Sequence, residues 1–194
     1  MPRQGLGKER IVQEAVELIE ENGLAGFSMG ELARSLNVKT ASLYNHVESM
    51  DHLLEEVGFF SVSMLVDAES QAIAEKKGDA ALFALAEALR TFAREHYQLY
   101  RVIMGFARQE NRMLDKGAEK IIKPILRVLS DYGLSEEQQI HWQRVLRGIM
   151  YGFAAHEQAG GFSHYPADVD ESYRIAIQCV VDGLHRAGNG GGAE

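Results

Sequence analysis

The sequence predicts an all-α fold of about nine helices. Three observations carry that prediction. Apolar residues recur at spacings of three and four along almost the whole chain, and alternating strand patterns are scarce. The prolines stand only at positions 2, 124 and 166, so no missing backbone N–H interrupts a helix from Arg3 to Lys123. Finally, helix-stop glycines and capping serines fall where the periodicity pauses.

The first helix is expected from Lys8 to Asn22, with Ile11, Val12, Ala15, Val16, Leu18 and Ile19 inward and glutamates outward. Asn22-Gly23 stops it, because glycine tolerates the left-handed position after a helix. Ser28-Met29-Gly30-Glu31 reads as a capping box that opens a second helix to about Leu36. After the turn at Asn37-Val38, a third helix covers Thr40 to Val47, and Ser49 caps a fourth from Met50 to about Lys76. Lys76-Lys77-Gly78-Asp79 breaks the chain, with Asp79 as a new cap for Ala80–His96. Helices follow at about Leu99–Glu110 and Asp115–Tyr132, the latter containing Pro124. A second capping box, Ser135-Glu136-Glu137-Gln138, opens a helix to Gln158. The last helix runs from about Asp170 to Arg186, and the tail 188–194 is expected to be disordered.

Composition narrows the function classes. The 194 residues carry a formal net charge of −8, with 46% hydrophobic and 25% charged residues, as in an ordinary globular protein with a sizeable core. One cysteine, Cys179, excludes an intramolecular disulfide and a four-cysteine zinc site, and its apolar setting predicts a buried, inert thiol. The seven histidines form no paired i,i+4 motif, so neither a metal nor another cofactor is predicted. No run is apolar enough to span a membrane, and the first residues lack the core of a signal peptide, which points to the cytoplasm. Gly26-Phe27-Ser28-Met29-Gly30 matches a hydrolase nucleophile pattern, but a helix rather than a buried strand precedes it. No catalytic residue is predicted, and Ser28 reads as a cap.

Residues 28–47 carry the functional signal. Two short helices joined by a tight turn fit a helix-turn-helix, although the pattern alone also fits an ordinary helical hairpin. Thr40, Ala41 and Ser42 would begin the recognition helix, where small side chains let the backbone approach base edges. Leu43 and Val47 face the core. Asn45 offers a paired donor and acceptor to a base edge, and Tyr44 and His46 can donate to phosphate. Residues 1–50 hold five basic and seven acidic groups, yet no acidic residue lies between Leu32 and Val47. Arg34 and Lys39 make that stretch locally positive, with Arg3 and Lys8 expected in a mobile arm nearby.

The stretch Arg10–Leu54 resembles the N-terminal DNA-binding domain of the TetR family of bacterial transcriptional repressors. The match rests on the first helix ending in Asn22-Gly23, then Phe27-Ser28, Leu32-Ala33, Leu36 and Val38, the run Ser42-Leu43-Tyr44-Asn45-His46-Val47, and Leu53-Leu54. The resemblance implies a homodimer on a palindromic double-stranded operator, released by a small molecule bound in the C-terminal domain. It assigns Ser28 to a phosphate-touching cap, Thr40, Ala41, Ser42 and Asn45 to base reading, and Tyr44 and His46 to phosphate. Lys39 stands where a Ser or Thr cap is common, which frees it to reach phosphate. Met50 replaces a lysine that usually grips phosphate, which implies a shallower salt dependence.

Residues 51–187 then form an effector-binding and dimerisation domain behind a DNA-binding domain at 1–50. Its aromatic and methionine content favours a mostly apolar pocket, and His96, Tyr100, Met104, Trp142, Met150 and Phe153 are the candidate effector residues. The same residues also suit plain core filling. Arg147-Gly148-Ile149-Met150-Tyr151-Gly152-Phe153, with Glu157 and Gly160-Gly161-Phe162, resembles one subgroup of the family, which often has Trp at Arg147 and His at Tyr151. Val145 and Ile149 on the penultimate helix and Tyr173, Ile177, Val180 and Leu184 on the last form apolar stripes. Because the family dimerises there, these six are the expected dimer contacts. Two other readings fit less of the sequence: a helical ligand-binding or interaction protein without specific DNA binding, and a DNA-binding regulator without an effector.

Overall fold

The structure, a computed structural model, describes residues 6–106 and 118–189. Among the described residues there are nine α-helices, one 3-10 turn and no strand. In chain order they are α1 (Lys8–Asn22), α2 (Met29–Ser35), α3 (Thr40–Leu43), α4 (Met50–Ala72), α5 (Gly78–Glu95), α6 (Tyr97–Phe106), α7 (Ala118–Leu129), the 3-10 turn Ser130–Tyr132, α8 (Glu136–Gln158) and α9 (Val169–Asn189). None is long and apolar enough to cross a membrane.

These elements form two compact units, which do not follow a linear division at residue 50. The first takes the described residues up to 63 together with 96–106. In it α1 buries Ile11, Val12, Ala15, Val16 and Ile19, whereas Leu18 is only half-buried. The stop after α1 is as expected: Gly23 adopts φ +74 and its N–H returns to the Ile19 carbonyl. α6 packs on α1, where His96 Nδ1 lies 3.0 Å from Glu20 Oε1. The shared burial places α6 in this unit, a tertiary fact that helical periodicity does not encode.

The second unit takes 64–95 and the described residues from 118 on. α5, α7, α8 and α9 enclose its core, lined by Leu82, Leu85 and Leu89 of α5 and Leu146 and Met150 of α8. Ser135 caps α8 with both arms of the box formed: Ser135 Oγ accepts from Gln138 N–H, and the Gln138 side chain accepts from Ser135 N–H. Arg90 of α5, 2% exposed, ties three helices together. Its guanidinium donates to Glu157 of α8 at 2.8 and 2.7 Å and to Asp170 of α9 at 2.8 Å. The rings of Tyr173 and Phe153 lie 4.7 and 5.6 Å from its centre. Hydrogen bonds from Arg90 hold the Glu157 carboxylate below its ordinary range.

Several expected boundaries move. Asp79 is not a cap but lies in the first turn of α5, where its carboxylate accepts from Tyr132 Oη at 2.9 Å and meets His185 Nε2 at 2.8 Å. α4 ends at Ala72 rather than near Lys76. α9 continues through Gly188 and Asn189, the start of the expected tail, and the remainder of that tail lies outside the described residues. So do Asp115 and the end of the sixth predicted helix at Glu110. Cys179 is exposed, not buried: it shares the outward side of α9 with Ile175, 51% exposed. Its apolar neighbours Val180 and Val181 face inward, so an apolar stretch of sequence did not mean an apolar surrounding.

Candidate nucleic-acid interface

The residues predicted to meet DNA gather on the helix pair α2–α3. Ser28, in extended conformation, caps α2 by accepting from Glu31 N–H at 3.1 Å. This is one arm of the expected box. α2 buries Met29, Leu32 and Ala33 against α1, and Ser35 Oγ hydrogen-bonds Glu14 of α1. Asn37 turns the chain with φ +54, the one non-glycine residue of positive φ among those described. Asparagine enters this region at lower cost than other side chains with a Cβ. The Val38 N–H then returns to Ala33 O at 2.9 Å, which closes the helix end and aims the chain into α3.

The third helix is shorter than predicted. It spans Thr40–Leu43, and Tyr44, Asn45 and His46 form the turn that follows. The His46 and Val47 N–H groups both return to Leu43 O, at 2.9 and 3.0 Å. Leu43 and Val47 are still buried, so the four-residue register survives as a tightened turn. The chain has to leave the helix there, because Ser49 already caps α4 by accepting from His52 N–H at 3.0 Å.

Around this buried seam the predicted polar set lies outward. Ser28, Lys39, Thr40, Ala41, Tyr44, Asn45 and His46 are exposed, and Ser42 is half-buried. Tyr44 is an aromatic ring 51% exposed. Lys39 occupies the N-cap position of α3 without a side-chain cap bond, as a side chain with only donors must. Neither Arg34 nor Lys39 joins an ion pair among the described residues, so both charges remain available to an anion. Lys8 is different. It begins α1 and pairs with Glu56 of α4 at 2.6 Å, so it is not part of a mobile arm, while Arg3 lies outside the described residues.

The other predicted residues scatter. Of the six effector candidates, His96, Tyr100 and Met104 belong to the first unit and Trp142, Met150 and Phe153 to the second. Tyr100 is 2% exposed, and burial pushes its phenol above the ordinary range. Met150 is fully buried, Trp142 packs its ring over Gly183, and Phe153 stacks with Phe162 and Tyr173 at 4.7 and 4.8 Å. A shallow groove on α7, lined by Glu119, Ile122, Lys123, Leu126, Arg127 and Ser130, involves none of the six.

The expected dimer contacts divide as well. Tyr173, Ile177, Val180 and Leu184 are buried inside their own chain, with Tyr173 Oη donating to Ala86 O at 2.7 Å. They are core residues, since a 4-3-4 stripe marks an apolar face without saying whose surface covers it. Val145, 45% exposed, and half-buried Ile149 do lie toward the outside of α8, near Gly148 and Gly152. Sequence reading also missed Glu69 and Gln143, polar residues buried in the second unit. Glu69 stands midway between Leu65 and Ile73 in a four-residue register, which is the signal that marks it.

A capped helix, an αL turn and a short second helix presenting hydroxyl, amide and cationic groups define a helix-turn-helix DNA-binding protein. Comparison with known proteins agrees. Residues 11–57 match the family described as bacterial regulatory proteins, tetR family, and residues 82–180 match the tetracyclin repressor-like C-terminal domain. The chain belongs to the TetR family of transcriptional regulators, a family of DNA-binding regulators rather than enzymes. It is 29% identical over 184 residues to the HTH-type transcriptional regulator YobS of Bacillus subtilis, covering 94% of this chain and 95% of that one. It is 26% identical over 155 residues to the HTH-type transcriptional repressor DrrR1 of Streptomyces coeruleorubidus, covering 79% of this chain and 54% of that one. Its fold matches the TetR family protein ActR of Streptomyces coelicolor in complex with (S)-DNPA, with a TM-score of 0.67 at 21% identity over 94% of this chain and 98% of that one.

Proposed function

We propose that the protein is a ligand-responsive repressor that binds a two-fold symmetric operator as a homodimer. The exposed residues Ser28, Lys39, Thr40, Ala41, Tyr44, Asn45 and His46, with half-buried Ser42 among them, raised on a buried apolar seam, are the observation that carries this reading. Thr40, Ala41, Ser42 and Asn45 read bases, and Ser28, Lys39, Tyr44 and His46 hold phosphates. Each protomer places α3 in one major groove, with half-sites about 34–36 Å apart. The dimer forms through the outward sides of α8 and α9, where Val145, Ile149 and Ile175 supply the apolar contact. The repressor role is supported by the likeness to DrrR1, and the ligand response by the likeness to ligand-bound ActR. The effector is a mostly apolar small molecule in the second unit, favouring a state whose recognition helices no longer fit the operator. The protein works in the bacterial cytoplasm, at the nucleoid when bound to DNA.

A gel shift with the DNA upstream of its own gene tests the reading. A retarded band that survives excess unrelated DNA, and whose complex has the mass of two chains on one duplex, is expected. Equal displacement by unrelated DNA would contradict it.

A further inference from the structure

Tyr44, Asn45 and His46 lie in the turn between α3 and α4, and the two ends of that turn are fixed separately. At its start, the His46 and Val47 N–H groups close on Leu43 O. At its end the next amide, Glu48 N–H, donates to Nδ1 of His52 at 3.4 Å. His52 stands in the first turn of α4, where its own N–H donates to Ser49 Oγ at 3.0 Å, and Leu53 N–H reaches Ser49 O at 3.1 Å. Val47 and Leu53 are buried on either side, so the backbone between them has little freedom to shift.

The pattern is a capping box with an imidazole in it. In the usual form a Ser or Thr cap bonds the third helical amide, and a Glu or Gln at that third position reaches back to accept from the cap's own N–H. Ser49-Met50-Asp51-His52 has the serine but a histidine in the third place. Its ring accepts from the amide one residue before the cap rather than from the cap itself. A ring nitrogen accepts only through a lone pair, so the proton sits on Nε2. Nε2 faces Glu56 Oε1 at 3.4 Å, and Lys8 of α1 holds the same oxygen at 2.6 Å. Both ring nitrogens are thus turned to the protein. An imidazole so engaged is not aimed at a phosphate.

We propose that His52 is a positioning residue for DNA binding. In its neutral form, with the proton on Nε2, it accepts from Glu48 N–H and so holds the turn that carries Tyr44, Asn45 and His46. It touches no nucleotide itself. A substitute must therefore supply an acceptor at this place, and a positive charge there brings no gain. This rests on the helix-turn-helix reading above and adds a supporting residue to it.

The test compares the full chain with His52→Gln, His52→Lys and His52→Ala. Affinity for the upstream duplex and for an unrelated duplex is read by fluorescence anisotropy at one pH and one salt concentration, with a melting curve for each protein. Gln keeps an acceptor, whereas Lys has only donors and Ala has neither. His52→Gln is expected to stay within about twofold of wild type. His52→Lys and His52→Ala should lose about fivefold in specific affinity, the effect of a lost cap that binding must then make good. A direct phosphate contact predicts the opposite order, since a lysine would strengthen it and a glutamine would weaken it. That order, or wild-type affinity in His52→Lys and His52→Ala, would overturn the proposal. So would an equal loss in His52→Gln, because packing rather than an acceptor would then be at stake. Nitrogen-15 NMR of the wild-type imidazole decides even where a variant fails to fold. A bare Nδ1 and a protonated Nε2 are expected, and a proton on Nδ1 would overturn the proposal. Failure of the wild type to prefer the upstream duplex would sink the DNA reading together with this one, whereas a wild-type preference with indifferent variants sinks the cap alone.

Discussion

At the scale of single residues, the proposed phosphate-holding set includes few cations. Arg34 and Lys39 are exposed and outside any ion pair among the described residues, whereas Lys8 is engaged by Glu56. Met50, the first residue of α4, offers no charge where the family usually places a lysine. Met50→Lys should therefore tighten DNA binding at low salt. It should also steepen the slope of log affinity against log salt by about 0.9 per protomer, as read from a fluorescence-anisotropy titration at several salt concentrations. An unchanged slope would mean that position 50 does not reach the backbone.

Glu69 makes a second prediction at this scale. Burial raises its pKa from 4.5 to about 8, against the lowering effect of Arg147. A carboxyl whose folded pKa lies above its unfolded value holds its proton more tightly in the native state. Its contribution is full below about pH 4.5 and is lost as pH rises through about 8. Glu69→Gln, which cannot ionise, should be more stable than wild type at pH 8.5 by a few kcal/mol and close to it at pH 5. Urea unfolding at the two pH values measures this, and a difference independent of pH would contradict it.

At the scale of elements, caps and turns decide the site. The α2–α3 turn depends on Asn37 at φ +54. Asn37→Ala should cost about 1 kcal/mol and lower operator affinity, while Asn37→Gly should leave both nearly intact. Thermal melts with a parallel gel shift distinguish the two. Much at this scale was legible in the sequence: the stop at Gly23, the caps at Ser28, Ser49 and Ser135, and the inward pair Leu43 and Val47 all form as read. The length of α3 was not legible. Leu43 and Val47 are four apart in a helix and equally so in a turn whose N–H groups share one carbonyl, so periodicity cannot separate them. Asp79 illustrates a different limit. It looked like a cap, but its partners Tyr132 and His185 lie 53 and 106 residues away, beyond any local rule.

At the scale of the whole molecule, α6 reads as part of the C-terminal body, yet it packs on α1 through His96 and Glu20. Three of the six effector candidates moved with it into the first unit. The stripe Tyr173, Ile177, Val180 and Leu184 was correctly apolar, but it faces its own core. Amphipathicity reports that a face is covered and is silent about what covers it. The net charge of −8 was likewise a poor guide, since it averages over a body that need not touch DNA, while the stretch from Leu32 to Val47 has no acidic residue.

The central claim is that the surface of α3 and the turn after it reads DNA. It is tested most directly by the double variant Tyr44→Ala and Asn45→Ala, both exposed positions whose loss leaves the buried Leu43–Val47 seam in place. Affinity for the upstream duplex and for an unrelated duplex should be measured at one fixed salt concentration. The account predicts an unchanged melting temperature, specific affinity reduced by roughly 100-fold, and non-specific affinity reduced far less. A folded double variant that keeps wild-type specific affinity would contradict the account.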